Sequence, residues 1–421
     1  MDQTAMPQRD PLVWCAVIAL GFVAIAWHGL LIPKKLYFDE IHYIPAARKL
    51  LHLLPANREH PLLGKEILAI SLKLLGDAPL AWRLPSLLFG GLGLFAFGRL
   101  TWWLSGRRFA TIAAMLLLAS DFAWFIQSRI AMLDMFAAAL LMVALWQFAA
   151  AMRRARRPRL RLALSGLFMG LALGAKWSVL PLLPLPGLTF LCLYLRKDRL
   201  NNDFPSISLI EAGVWLSLVP MVIYWVTFAP ALFYPTEATR ITLLGFVEQH
   251  RQMLALQESV LRPHQYQSVW YEWVINWRPI WYLYENIQGA QRGVLLLGNP
   301  LTMLAGLGAL AWCGWAAWRH GRTDALAFAV LYLVGMGFWI SAMKPVQFYY
   351  HYLLPGTFLM GCLALALDAL FARGGRRRWG ALAGVAASLA IFAWFHPIIS
   401  ASALTAGKVS YQRWMWMNSW R

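Results

Sequence analysis

Long runs without an ionisable side chain, separated by short arginine-rich tracts, set the first limit on what this chain can fold into. Eleven runs are long enough to cross a bilayer, near 12–32, 81–104, 109–127, 131–151, 160–175, 177–195, 209–229, 294–318, 325–342, 348–371 and 379–397. A soluble chain of 421 residues needs a polar skin, and 60% hydrophobic residues with a mean hydropathy of +0.54 do not supply one. The expected fold class is therefore an all-α integral membrane protein, with one transmembrane unit across 1–421. The 23 tryptophans suit anchoring at membrane interfaces.

A net charge of +19 would suggest nucleic acid in a soluble protein, but its placement argues against that. The basic residues gather at Arg107 and Arg108, across 153–161, at Arg196, Lys197 and Arg199, at Arg319 and Arg322, and across 373–378. With a cytoplasmic N-terminus, all these tracts fall on the cytoplasmic side, as the positive-inside bias requires, where they can also touch anionic headgroups. The loops near 33–80 and 230–293 then face outward. Cys15, Cys192, Cys313 and Cys362 lie far apart inside apolar runs, with neither metal-ligand nor disulfide spacing. The first run is too long for a signal-peptide core and reads as a retained span.

The outer loops carry the polar chemistry. The first opens on Tyr37, Phe38, Asp39 and Glu40, followed by a stretch over 43–54 that can lie as an amphipathic helix at the interface. The second sets Trp270, Trp273, Trp277 and Trp281 among Tyr and Arg, as interfacial anchors or as the wall of a lipid-facing groove. Asp121 falls near the outer end of the third run and Asp134 just inside the fourth; intramembrane ionisable groups are expensive and hence functional candidates. For Asp134 a pairing with Arg129 is the favoured reading. Asp39 reads equally well as an interfacial carboxylate and as a functional one.

Eight cations run against the positive-inside trend: Arg58, Lys65, Arg83, Arg129, Lys176, Arg262, Arg278 and Lys344. Cations at an outer edge call for an anion, and the phosphate of a membrane lipid is one that Arg grips with both its nitrogens. Snorkelling towards headgroups accounts for some of them. A carboxylate beside a phosphate site fits glycosyl transfer: the acid deprotonates an acceptor hydroxyl, which attacks a sugar's anomeric carbon as polyprenyl phosphate leaves. A transporter of lipid-linked sugar would also place charges at membrane edges, but neither paired half-repeats nor midplane charges are seen.

Seven ordered motifs narrow the choice. They are YFDEIHY (37–43), HPLLGK (60–65), Asp121 with QSRIAMLD (127–134), GLALGAKWS (170–178), HQYQSVWYEWVINWRPIWY (264–282), GNP (298–300) and QFYYHYLLP (347–355). Together they resemble the protein O-mannosyltransferases, membrane enzymes of the GT-C glycosyltransferase fold. The resemblance implies Asp39 as catalytic base, Glu40 beside it to orient the acceptor, and Asp121 as a second acidic position. It implies Arg129, Lys65 and Arg278 at the donor phosphate, and His60, His264, Tyr266, Trp273 and His351 around the substrate groove. Leu62 and Tyr43 depart from the family's Pro and Phe. The second outer loop, about 60 residues, is too short for the β-trefoil (MIR) domain of the eukaryotic members.

A bacterial-type member is therefore implied, in the cytoplasmic membrane with its site facing the extracytoplasmic side. Its expected reaction is inverting transfer of a sugar, mannose first, from a polyprenyl-phosphate carrier to Ser or Thr of exported proteins. A lipid or polysaccharide acceptor is the alternative. No cofactor is required, although Asp39, Glu40, His42 and His60 are residue types that bind divalent ions. The implied partners are the polyprenyl-phosphate sugar, the acceptor and membrane lipids, with no nucleic acid; a dimer is compatible with the resemblance.

Overall fold

Backbone surrounded by hydrocarbon has to bond to itself, and the apolar runs are helical over most of their length. The computed structural model describes residues 8–153, 156–196, 205–237, 239–242, 245–259, 264–342 and 344–421. Arg262, Arg154, Lys197 and Arg199 lie outside them. Helix α1 (Leu12–Trp27) leads into the first loop, which carries α2 (Glu40–Leu50) and α3 (Leu63–Leu75). The bundle continues through α4 (Pro79–Ser105), α5 (Arg108–Ala119), α6 (Phe122–Gln127), α7 (Leu133–Met152), α8 (Pro158–Ala175) and α9 (Pro184–Tyr194). Then come α10 (Leu209–Gly213) and α11 (Val219–Val226), the loop helices α12 (Phe246–Glu258) and α13 (Trp270–Val274), and strands β1 (Ile280–Ile287) and β2 (Ala290–Leu296). Helices α14 (Pro300–His320), α15 (Thr323–Ser341), α16 (Leu353–Ala372) and α17 (Gly375–Ile399) close the bundle.

Among the described residues, eight helical segments are long and apolar enough to cross a membrane, so the chain is a multi-pass membrane protein. The other three expected spans fall on α1 and α5, which are shorter apolar helices, and on α8, whose first turns carry Arg159 and Arg161. Helix α7 is the axis: all but two of its residues are buried, and it packs chiefly on α8 and α4. A helix apolar all round has no solvent face to offer and sinks into the centre.

Three expected spans are broken in ways that hydropathy does not register. The run 109–127 splits at Asp121 into α5 and α6. The run 177–195 opens as a 3₁₀ turn (Trp177–Leu182), where Pro181 and Pro184 remove backbone donors. The run 209–229 contains a π turn (Val214–Leu218) between α10 and α11.

Two expectations need correction. The chain is not purely α: β1 and β2 pair antiparallel across Gln288 and Gly289, both at positive φ (56° and 76°), as a tight two-residue hairpin turn requires. The eighth helix starts at Pro300 rather than near 294, because 294–296 belong to β2 and Asn299 caps α14, its Oδ1 accepting from Leu301 N–H at 3.2 Å.

Helix α8 meets the segment 209–226 along a stripe of glycines. A Cβ on Gly166 would lie 1.9 Å from the carbonyl oxygen of Trp215, one on Gly170 2.6 Å from that of Pro220, and one on Gly174 2.7 Å from Thr227. Small residues four apart let the two backbones touch, the contact that dispersion rewards within lipid. Gly166→Ala is expected to destabilise the protein by roughly 1–3 kcal/mol through overpacking against a fixed carbonyl. Thermal unfolding in detergent should show it, with Gly187→Ala, which meets nothing within 4 Å, as the unaffected control.

Candidate active site

Asp39 sits where the first loop turns into α2. Phe38, just before it, is held at φ +48°, a conformation uncommon for a side-chain-bearing residue. Its ring stacks on Tyr282 of β1 at 3.7 Å, which fixes the turn. Asp39 occupies the N-cap position, yet its carboxylate caps nothing and accepts no hydrogen bond from the described residues.

Glu40 points the other way, into the protein. It is fully buried and takes a two-pronged grip from Arg83 of α4, Nε at 2.8 Å and Nη2 at 2.9 Å, plus the Ala131 N–H at 3.2 Å. Arg83 spends its remaining donors on the carbonyls of Leu30, Pro33 and Lys35. One guanidinium thus ties the chain on both sides of Asp39 to the bundle.

The half-buried Asp39 carboxyl faces the charges of Lys176, His42, Asp134 and Lys344. Burial pushes it up to about 6; Lys176, His42 and Lys344 pull it down, and Asp134 adds to the rise. Lys176, at the end of α8, reaches Asp134 of α7 at 2.7 Å, with both side chains buried, and lies 5.1 Å from the centre of the Tyr350 ring. Lys344, between α15 and α16, takes part in no ion pair among the described residues. Burial, then the charge of Lys176, brings it down to about 8. His60 lies 6.0 Å from Tyr43, ring to ring; burial and the surrounding lysines hold it well below its usual value, so it is a neutral imidazole.

The other residues singled out from the sequence divide between this cluster and its frame. The expected Asp134–Arg129 pair does not form. Lys176 takes Asp134, while Arg129 donates to the carbonyls of Ala26, His28 and Ser400 at 2.6–2.9 Å, joining the ends of α1 and α17. Lys65 is buried with its ammonium on the carbonyls of Asn57 (2.6 Å) and His60 (2.8 Å), and burial brings it down to about 7. Asp121 caps α6, accepting from Trp124 N–H at 2.9 Å and from Asn299 N–H at 3.4 Å, apart from Asp39. Arg278 is exposed and donates to the Gln265 carbonyl.

His264 is exposed and accepts the Tyr266 N–H at 3.1 Å, while Tyr266 is half-buried. Trp273 is buried and stands 5.9 Å from His351, which stacks on Trp339 at 3.9 Å. Sequence reasoning had Lys176, Lys344 and Arg83 only as members of a set of outer cations. What separates them is which ones loop carbonyls consume, and that depends on tertiary contacts. The one local signal was Lys176 in the GAKW motif.

Glu40→Ala would leave Arg83 buried without its anion, at a cost of about 3–5 kcal/mol. Thermal unfolding in detergent should show that loss, and Glu40→Ala/Arg83→Met should recover much of it; a single variant as stable as the wild type would remove the pair from its structural role.

Comparison with known proteins bears on the family and the fold. A family model described as dolichyl-phosphate-mannose-protein mannosyltransferase matches 78–233, and one described as the C-terminal four-transmembrane region of protein O-mannosyltransferase matches 242–420. The polyprenol-phosphate-mannose–protein mannosyltransferase of Corynebacterium glutamicum is 26% identical, with 91% of this chain and 88% of that protein covered. Its namesake from Mycolicibacterium smegmatis is 24% identical over 91% and 87%. Among solved structures, the Saccharomyces cerevisiae protein O-mannosyltransferase Pmt1–Pmt2 complex bound to the sugar donor superposes with a TM-score of 0.81, at 14% identity over 99% of this chain and 93% of that one. ArnT from Cupriavidus metallidurans bound to undecaprenyl phosphate gives a TM-score of 0.59, at 18% identity over 92% and 66%. The fold is thus of the GT-C kind, and with two models of one family meeting the chain in order from 78 to 420, it belongs to the protein O-mannosyltransferases.

Proposed function

We propose that this chain transfers mannose from a polyprenyl-phosphate carrier to hydroxyl side chains of exported proteins, with inversion at the anomeric carbon. The observation that carries the reading is Asp39: a carboxylate that the protein leaves unbonded, at the end of the bundle where Lys176 and Lys344 act on it. We read 1–421 as one catalytic unit in a bacterial cytoplasmic membrane, N-terminus inside, with the loops 33–80 and 230–293 and the site outside.

In this mechanism Asp39 takes the proton of a Ser or Thr hydroxyl as that oxygen forms its bond to the anomeric carbon. The bond from that carbon to the phosphate oxygen breaks, and its electron pair leaves with polyprenyl phosphate. The second negative charge that develops on the phosphate is met by Lys344 and Lys176. These two suit the donor phosphate better than Arg129, Lys65 and Arg278. Arg129 and Lys65 are occupied by backbone carbonyls, and Arg278 is exposed in the second loop. Glu40 and Arg83 hold the turn that presents Asp39, and Asp121 holds the α5–α6 break. In this reading Trp273, His351 and Tyr350, which pack in series beside Lys176, form the substrate groove, with His60, His264 and Tyr266 at its rim. The carrier's single phosphodiester charge needs no divalent cation beside two lysines.

Membranes supplied with radiolabelled polyprenyl-phosphate mannose test the reading. Asp39→Asn is expected to lower transfer into protein by ~10²–10⁴-fold, since it cannot accept the proton. Label entering a lipid or glycan fraction instead would keep the chemistry and replace the acceptor. EDTA should leave the rate unchanged.

The pH profile follows from two groups. Asp39 has to be charged to act as base, so activity rises through about 6; Lys344 has to be protonated to hold the leaving phosphate, so activity falls through about 8. Lys344→Gln should remove the alkaline limb and lower the rate by roughly 10²–10³-fold. A profile that keeps its acid limb in Asp39→Asn would exclude Asp39 as the base.

A further inference from the structure

At the end of the bundle opposite Asp39, α7 and α8 part around a cavity of about 540 Å³. Its walls are Arg156, Arg157 and Arg161, with Trp146, Gln147 and two leucines, 160 and 164. Among the described residues no carboxylate lines it. Arg161 lies over the ring of Trp103 at 5.7 Å and donates to Gln147 Oε1 at 3.0 Å. Its Nε and the indole Nε1 of Trp146 are sealed from solvent with no acceptor among the described residues. Neighbouring arginines are spent elsewhere: Arg159 on Glu211 and on the Ser206 carbonyl, both at 2.7 Å, and Arg153 on the Leu104 carbonyl at 2.7 Å. Arg156 and Arg157 stand exposed at the mouth.

A cleft with three guanidinium groups, two buried donors lacking an acceptor, and no acid among its walls is short of an anion with several oxygens. Phosphate is that anion: it receives two parallel N–H bonds from a guanidinium and leaves oxygens for others. The leucines and the indole give the same cleft an apolar side, which a free phosphate would leave bare and an acyl or glycerol chain would cover. We propose that the cleft between α7 and α8 holds the phosphate headgroup of an anionic membrane phospholipid, with Arg156 and Arg157 drawing it in and Arg161 and Trp146 hydrogen-bonding it. This site is independent of the mannosyl-transfer reading and faces the other side of the bundle.

Native mass spectrometry of the full chain, released from detergent with added dioleoyl phosphatidylglycerol, dioleoyl phosphatidylcholine or inorganic phosphate, tests it. The expected result is one phosphatidylglycerol retained at least tenfold more tightly than phosphatidylcholine. In Arg156→Gln/Arg157→Asn that preference should vanish, while Arg376→Gln/Arg377→Gln, in the basic tract that opens α17, keeps it. Trp146→Phe, which keeps charge and bulk but removes the N–H, should weaken retention severalfold even if the arginine variant proves unstable. Inorganic phosphate binding as tightly as the lipid would mark a free-ion site and overturn the lipid assignment. Equal retention of the two lipids, or equal loss from both arginine variants, would overturn the cleft altogether.

Discussion

Glu40 and Arg83 are both sealed from solvent, and the shape of the site follows from that pair. Two charges in a low-dielectric interior are tolerable only if every lone pair and proton between them is used. Here they nearly all are: the carboxylate also accepts from Ala131 N–H, and the guanidinium reaches three further carbonyls. All of those carbonyls lie between Leu30 and Lys35, in the segment that would otherwise be a free loop above α1. The segment therefore has one position relative to α4. With Glu40 turned inward, its neighbour Asp39 faces the opposite way at the start of α2.

The same economy explains which cations remain for chemistry. Loop backbone at the end of a membrane bundle presents carbonyls with little water to satisfy them. Arg83, Arg129 and Lys65 each take several, and in doing so join α1 to α4, α1 to α17, and the 57–60 turn to α3. Their donors are taken up by these carbonyls, and in Arg83 by Glu40 as well, which leaves little donor capacity for a substrate. The Lys176 ammonium meets one carboxylate and no backbone carbonyl, and Lys344 takes part in no ion pair among the described residues. A positive field survives beside Asp39 because most of the other cations are consumed by structure.

Hydropathy alone located every apolar run, since a bilayer leaves no alternative to helix for such segments. It was silent on what happens inside a run. Asp121 ends α5 because its side chain caps α6, and in a reading of hydrophobicity that is merely one polar residue near a span end. The hairpin was missed because Trp281, Tyr282 and Tyr284 look as much like interfacial anchors as like strand residues, while the Gln–Gly turn is a weaker hairpin signal than Asn–Gly. Counter-ion choice was the least legible of all. Arg129 lies five residues from Asp134 and Lys176 forty-two, yet the distant lysine wins, because α8 packs along α7 and delivers it. Proximity along a chain predicts ion pairs on exposed helices, where partners sit three or four residues apart. At a junction of several helices, packing decides instead.

The two ends of the bundle use arginine differently, and the difference tracks what surrounds them. At the Asp39 end, Arg83 and Arg129 are buried, and their donors end on backbone oxygens and, for Arg83, on Glu40 as well, so they act as fixed ties. At the opposite end, Arg99, Arg107 and Arg322 pair with Asp10, Asp368 and Asp324, while Arg156, Arg157 and Arg161 line the α7–α8 cleft. An acid at the Asp39 end that took Lys344 would cancel the field a leaving phosphate needs. An acid within the cleft would cancel the field an anionic headgroup needs. In both places the chain leaves at least one cation without a carboxylate, Lys344 at one end and Arg156, Arg157 and Arg161 at the other, where a negatively charged, lipid-borne group is to be received.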